Sequence, residues 1–236
     1  MKNVEKWKPS LVIKTGRDRM RPIKRNIYRG SWTIAQCQAE AYPQALSFAK
    51  GKLLDCGCGD LPYFDFYRPL VQDIVALDIA EDLRHADIIS DLANALPFED
   101  ATFDTVLLTD VIGHVPNAQL LFSECIRVLK YNGVLILTSP FMYWQTTTPY
   151  IYQYPGEPQY QRWCEVFHLE QLQFDSYGGY FDVQLDLLNK ALHGPIGARI
   201  TDVIRRVLKS SGILQANRRR TKYSYPLGYI LVARKK

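Results

Sequence analysis

Three carboxylates stand where apolar runs give way to turns, and they are the residues of this chain best suited to chemistry. Asp55 closes the run Leu53-Leu54-Asp55 and is followed by Gly57 and Gly59 in the stretch Cys56-Gly57-Cys58-Gly59-Asp60. Glycines reach backbone angles closed to other residues and let a ligand approach the main chain. A short strand that ends in an acid and enters a glycine-paired loop marks a nucleotide-type pocket at the carboxyl end of a central strand. Dinucleotide loops have the form Gly-x-Gly-x-x-Gly and cradle a pyrophosphate on a helix start. Here Pro62 holds the third glycine position, and an acid stands where phosphate would approach. That suits a cationic or amine-bearing ligand. Asp78 ends a second apolar run about twenty residues on, where an acid can accept both ribose hydroxyls of an adenosine. Asp91 ends a third, Ile88-Ile89-Ser90. Taken singly, each has a plainer reading as a strand-to-helix turn or a strand-ending carboxylate.

Residues 96–108, Leu-Pro-Phe-Glu-Asp-Ala-Thr-Phe-Asp-Thr-Val-Leu-Leu, follow at short range. With the loop at 53–61 and the acids at 78 and 91, this run resembles class I S-adenosylmethionine-dependent methyltransferases. The run closely resembles the "LPF-x-D-x-x-FD" motif that precedes the fourth strand in their small-molecule and glycan-type branch. The resemblance implies S-adenosylmethionine as cofactor. It places Asp55, Gly57 and Gly59 along the methionine half, with Asp55 near the amino group. It gives Asp78 the ribose hydroxyls and Ile79 the adenine face. Asp91 would accept from the adenine amino group with the Leu92 backbone close by, and Thr109 and Asp110 would sit beside the methionine moiety and sulfonium. His114 falls where relatives carry a similar His-Val or His-Ile pair; it is either a structural helix-start histidine or a general base. Asp110, His114 and His168, the last expected at the mouth, are the candidate catalytic residues.

The apolar fraction of 47% over 236 residues supports one α/β domain with a sizeable core. The resemblance implies a doubly wound, mostly parallel seven-stranded sheet whose last strand runs antiparallel. No apolar stretch reaches the length of a membrane span, and the first residues lack the apolar run of a signal peptide. Five cysteines is an odd count without the spacing of a small disulfide scaffold, and a zinc site would need further ligands. Cys56 and Cys58, facing opposite ways, read as small space-filling residues, so no metal site and a reducing, cytoplasmic compartment are expected. Charge is segregated: +8 over residues 1–30, −13 over 31–190 and +10 over 191–236, which together give the net +5. Basic ends attract polyanions such as lipid headgroups, nucleic acid or a phosphorylated substrate, unless they are simply solvated termini.

Organisation follows from these marks. Residues 1–30 form a basic arm and 31–236 the catalytic domain. A first helix is expected over 31–49. Strands are expected near 52–56, 74–78, 87–90, 104–109 and 134–138, with a helix over 116–130 between the last two. A short helix is expected over 169–174, a sixth strand over 181–187 and the last strand over 229–234. Two insertions, 139–167 and 189–222, exceed the minimal fold and leave from the ligand edge, so they should cap the substrate mouth. The first is rich in Tyr and Trp, which suits a sugar ring or an apolar acceptor, or else makes a hydrophobic lid. It resembles the corresponding stretch of methyltransferases of glycan and lipid-linked sugar biosynthesis, but the usual His is absent and Gln159 stands at the Asp position. In the second, Ile196, Ile200, Val203, Ile204, Val207 and Leu208 recur at helical spacing beside Arg199, Arg205, Arg206 and Lys209, and Arg218, Arg219 and Arg220 follow. Such a helix either packs its stripe on its own domain or lies in a membrane interface.

The expected reaction is in-line methyl transfer to a small-molecule or sugar acceptor, with a lipid-linked glycan as one candidate, most simply as O-methylation. A nicotinamide-dependent oxidoreductase would share the βαβ unit but lacks its third glycine here. A cofactor-binding scaffold without turnover remains the alternative. An anionic membrane surface is a candidate partner, and nucleic acid is not expected. The sequence carries no signal of oligomeric state.

Overall fold

The computed structural model describes residues 4–9, 12–16, 19–22, 32–79, 85–145, 150–192 and 194–236. Five parallel strands follow the apolar runs: β3 (Lys52–Cys56), β4 (Asp73–Asp78), β5 (Ile88–Ile89), β6 (Phe103–Thr109) and β7 (Leu129–Pro140). Two more complete the sheet, β8 (Leu169–Tyr177) and β9 (Gly228–Lys235), in the order β5-β4-β3-β6-β7-β9-β8. The last strand, β9, is antiparallel to both its neighbours. The expected doubly wound sheet with a reversed final strand is therefore present.

Side chains alternate across the sheet, and both faces are buried, as parallel sheets require. Leu53, Ile74, Leu107 and Ile136 pack beneath α1 (Trp32–Leu46), α2 (Phe64–Tyr67) and α5 (Tyr180–Leu192). Leu54, Leu77, Val106 and Leu137 pack on the other face under α3 (Ala118–Val128) and α4 (Glu157–Val166). Each such side chain contributes roughly 1.5–3 kcal/mol by leaving water. Cys56 and Cys58 join opposite clusters, and all five cysteines are free and buried.

The strand order reverses at β3, with β4 and β5 on one side and β6 on the other. The carboxyl ends of β3 and β6 therefore open a crevice, the usual ligand position in such sheets.

Two expected elements are exchanged. Residues 169–174 were expected to be helical but belong to β8, because a register shift between Gln171 and Gln173 disrupts the alternation that would reveal a strand. Residues 181–187 were expected to be a strand, since Phe181, Val183, Leu185 and Leu187 alternate, but they lie in α5. The helix wins because Asp182, Asp186, Asn189 and Lys190 recur at helical spacing on its buried side, where charged partners await them. The second extra segment thus begins at α5 rather than at residue 189. It comprises α5, α6 (Gly194–Ser210) and α7 (Ile213–Thr221), and returns to the start of β9.

Part of the basic arm forms a hairpin of β1 (Val12–Gly16) and β2 (Arg19–Pro22). Before it, Trp7 packs on Phe64, with ring centroids 5.0 Å apart, and donates to the Leu61 carbonyl at 3.2 Å. Residues 23–31 lie outside the described residues. No described helix is long and apolar enough to cross a membrane.

Candidate functional site

Asp55, the penultimate residue of β3, is enclosed, 2% exposed. The Tyr67 hydroxyl on α2 donates to its Oδ2 at 2.5 Å, while Oδ1 is buried with no hydrogen-bond partner among the described residues. Burial pushes the carboxyl up to about 7; the Tyr67 hydrogen bond opposes that shift and the nearby Asp78 charge adds to it. A buried acceptor without a donor costs on the order of 1–3 kcal/mol. That cost suits a ligand group that donates to it.

The glycine loop turns immediately beyond. The Gly57 and Cys58 amides donate to the Leu77 carbonyl at 2.8 and 3.0 Å, tying the loop to the end of β4. Gly57 has φ +81°, and a Cβ there would lie 2.4 Å from the Val111 side chain. Gly59 has φ +50°, and a Cβ there would meet nothing within 4 Å. The first glycine is required by close packing; the second borders open space.

Asp78, at the end of β4, is held by the main chain. Its Oδ2 accepts from the Gly59 amide at 2.8 Å and its Oδ1 from the Ile79 amide at 2.8 Å. The Ile79 side chain is exposed beside it. Asp91 is exposed and caps its own turn by accepting from the Ala93 amide at 2.9 Å, whereas Leu92 is buried. Asp55, Asp78 and Asp91 thus follow three adjacent strands of one sheet edge, in the order β3, β4, β5.

Thr109 ends β6, and Asp110 follows in a left-handed conformation with φ 58°. That conformation costs a non-glycine residue roughly 1–3 kcal/mol and persists only where the surroundings fix it. Here they do. The carboxylate accepts from Gln38 Nε2 at 2.7 Å, the Tyr42 hydroxyl at 3.0 Å and the Thr138 hydroxyl at 3.1 Å. Loss of solvation raises the Asp110 carboxyl above its ordinary range, although these donors work the other way. Tyr63 donates to the Gln38 carbonyl at 3.3 Å, and the Tyr42 and Tyr177 hydroxyls lie 3.3 Å apart. Asp110 is the centre of a polar knot that ties β6 to α1 and β7.

His114 is half-buried, with Nδ1 2.8 Å from the Tyr150 carbonyl. The neighbouring Gly113 carbonyl accepts from the Tyr152 amide at 2.8 Å. A Cβ at Gly113 would lie 2.7 Å from the Gln153 carbonyl, so glycine permits this close approach. The histidine therefore fastens the Tyr-rich segment to the loop after β6.

His168 requires a correction. It precedes β8, whose first residue pairs with Lys235 near the end of β9, so it lies at the amino edge of the sheet, away from Asp55 and Asp110. Its position in sequence after the aromatic insertion suggested the mouth. The chain has crossed the domain through α4 by that point.

The aromatic stretch after β7 meets α5 at the ligand edge. Lys190 pairs with Asp186, both buried, and its ammonium lies 3.7 Å from the Tyr143 ring centroid. Burial lowers the lysine and raises the acid, while their mutual attraction opposes both shifts. The Tyr154 hydroxyl donates to the Trp144 carbonyl at 2.8 Å.

Sequence reasoning did not single out Tyr67, Gln38 or Tyr42. One signal was available. Gln38 and Tyr42 stand four residues apart among the buried apolar positions of α1, and a polar pair on such a face needs a buried partner. Arg218 was grouped with an exposed arginine cluster, yet it makes a bidentate pair with buried Asp182, at 2.7 Å through both Nε and Nη2. It also reaches Glu40 at 2.8 Å.

A family model described as a methyltransferase domain matches residues 54–137, the span from β3 to β7 that carries Asp55, Asp78, Asp91 and Asp110. A probable S-adenosylmethionine-dependent methyltransferase of Mycolicibacterium smegmatis is 29% identical over 37% of this chain and 37% of its own length. An uncharacterized protein of Methanocaldococcus jannaschii is 37% identical over 36% of this chain and 39% of its own length. The chain thus spans about two fifths of each of these curated relatives. Among solved structures, a SAM-dependent methyltransferase from Archaeoglobus fulgidus has a TM-score of 0.57 at 15% identity, covering 89% of this chain and 97% of that one. The cyclase SpnF has a TM-score of 0.54 at 21% identity, covering 88% and 83%. At these identities the structural likeness shows the shared fold.

Proposed function

We propose that this chain is a class I S-adenosylmethionine-dependent methyltransferase that takes S-adenosylmethionine as cofactor and transfers a methyl group to a small-molecule or sugar acceptor, a reading supported by the methyltransferase-domain match over residues 54–137 and the shared fold. The observation that carries the proposal is the unpartnered Oδ1 of buried Asp55 beside the open backbone at Gly59. An ammonium group supplies the donor that Oδ1 lacks, directly or through water. On this reading Asp55, Gly57, Gly59 and Thr109 hold the methionine half. Asp78, already oriented by two amides, accepts the ribose hydroxyls. Exposed Ile79 covers the adenine, with Asp91 and the Leu92 backbone at its amino edge.

When bound, the cofactor supplies an electrophilic methyl on a sulfonium. The protein's share is to hold the acceptor in line, worth roughly 7–11 kcal/mol when orientation is good. The aromatic faces around Tyr143 and Trp144 suit a sugar ring. O-methylation is the finer proposal, and it requires removal of the acceptor's proton. Asp110 acts first as a positioning residue, because three donors already occupy its carboxylate. His114 likewise has Nδ1 engaged. A cytoplasmic location is proposed, with the acceptor carried as a lipid-linked glycan at an anionic membrane surface.

A second reading, a cofactor-binding scaffold without turnover, is favoured by the engagement of both Asp110 and His114. An acceptor screen that scores S-adenosylhomocysteine formation, with and without anionic vesicles, separates the two. Product with any sugar or hydroxyl acceptor supports transfer. Tight cofactor binding with no product across the screen favours the scaffold.

A further inference from the structure

The apolar stripe of α6 faces outward. Ile196 is 69% exposed, Val203 59% and Val207 61%, with Ile200 and Ile204 also exposed. At roughly 100° per residue, Gly197, Ala198, Thr201 and Arg205 lie on the other side, and these are the buried ones. The inward face is fixed by its chemistry. A Cβ at Gly197 would lie 2.7 Å from the Leu192 Cβ, so glycine brings α6 close to the end of α5. Arg205 reaches Glu40 at 3.1 Å and lies 3.8 Å from buried Asp182. The helix cannot turn its stripe inward without stranding Arg205.

The charges around this face are of two kinds. Arg206 pairs with Asp202, and Lys209 with Glu40. Arg199, Arg219 and Arg220 are exposed and form no ion pair among the described residues. The helix has 17 residues, roughly 25 Å of length, and none of the described helices is long and apolar enough to cross a bilayer. An exposed apolar stripe with unpaired Arg199 on the same helix, and two more unpaired arginines on the next helix, fits an interfacial helix. A second copy of the chain fits less well, because a twofold contact sets like patches together and brings these arginines face to face.

We propose that the outward face of α6, with Arg199, Arg219 and Arg220, lies in the interfacial zone of an anionic bilayer. The helices α5–α7 leave the sheet after Tyr177 and return at Gly228, on the edge that carries Asp110. Docking through α6 would thus hold a segment that begins and ends at the acceptor edge against the membrane. The orientation rests on the methyl-transfer proposal, whereas binding itself does not.

The test is sedimentation with vesicles of phosphatidylcholine alone or with about a third phosphatidylglycerol, alongside calorimetry with S-adenosylhomocysteine. The intact protein should bind the anionic vesicles, and binding should fall as salt rises from about 0.05 to 0.5 M. Each arginine at an anionic surface is worth a factor of about five. Arg219→Ser with Arg220→Ser should therefore weaken vesicle binding about twenty-five-fold, and Val203→Glu with Val207→Glu at least tenfold, with cofactor affinity unchanged in both. Intact protein that binds S-adenosylhomocysteine but ignores anionic vesicles at low salt overturns the membrane surface. So does a dimer dissolved by Val203→Glu in the absence of vesicle binding, which would give the face to a second copy. Vesicle binding without cofactor binding would leave this surface standing and defeat the methyl-transfer reading instead.

Discussion

Raising the pH from 6 to 8 should tighten S-adenosylhomocysteine binding about tenfold, and the cause should be Asp55. Its carboxyl is buried, shares one oxygen with Tyr67 and has the other unpartnered, and burial raises it to about 7. A carboxyl raised on folding stabilises the free protein fully below its unfolded value, near pH 4, and that contribution is lost as pH climbs through about 7. An ammonium-bearing ligand reverses the preference, because it favours the carboxylate. At pH 6 about one molecule in eleven has Asp55 ionised, and at pH 8 about ten in eleven, so the ratio is about tenfold, or 1.4 kcal/mol. Calorimetry at pH 6, 7 and 8, in buffers of different ionisation heat, should show nearly one proton released per ligand at pH 6 and almost none at pH 8. Asp55→Asn should bind more weakly with a flat profile, which separates this effect from Asp110. A flat profile in the intact protein, with no proton release, would refute both the raised carboxyl and its place beside the amino group.

Three further outcomes are expected. Asp78→Ala should weaken S-adenosylhomocysteine binding by about 1.5–3 kcal/mol, the scale of hydrogen bonds to a charged group; unchanged affinity in calorimetry would remove Asp78 from the ribose. His114→Asn should lower the melting temperature and keep most of the turnover, since His114 fastens the segment at Tyr150. A loss of about 10² in turnover with fold and cofactor affinity intact would make it the base instead. Arg218→Ala leaves Asp182 buried without its bidentate partner and should cost about 3–5 kcal/mol in urea unfolding. Arg219→Ala, an exposed control, should stay within about 0.5 kcal/mol, and equal effects would contradict the assignment of Arg218 to the interior.

What the sequence made legible was the half of the molecule governed by local rules. Asp55, Asp78 and Asp91 mark strand ends because apolar runs buried on both faces must stop where the chain meets the ligand edge. Gly57 and Gly59 mark the turn between strand and loop. Illegible was the half where tertiary charge pairs override hydrophobic periodicity. The Asp182 and Asp186 carboxylates turn an alternating pattern into α5 because Arg218 and Lys190 meet them inside. Arg205 turns the apolar stripe of α6 outward for the same reason. Arg218 gave no local sign of differing from Arg219 and Arg220, since its partners lie on α1 and α5. Leu172 sits in a bulge, which hid β8. His168 was misplaced because position along the chain does not reveal which edge of the sheet a connection has reached.

The central claim, that the three strand-end acids build an S-adenosylmethionine pocket, is tested most directly by one calorimetric comparison. S-adenosylhomocysteine and the nicotinamide dinucleotide would be titrated into the same protein at pH 8. Saturable binding of the first and no measurable binding of the second are expected. Binding of the dinucleotide, or of neither ligand by folded protein, would contradict it.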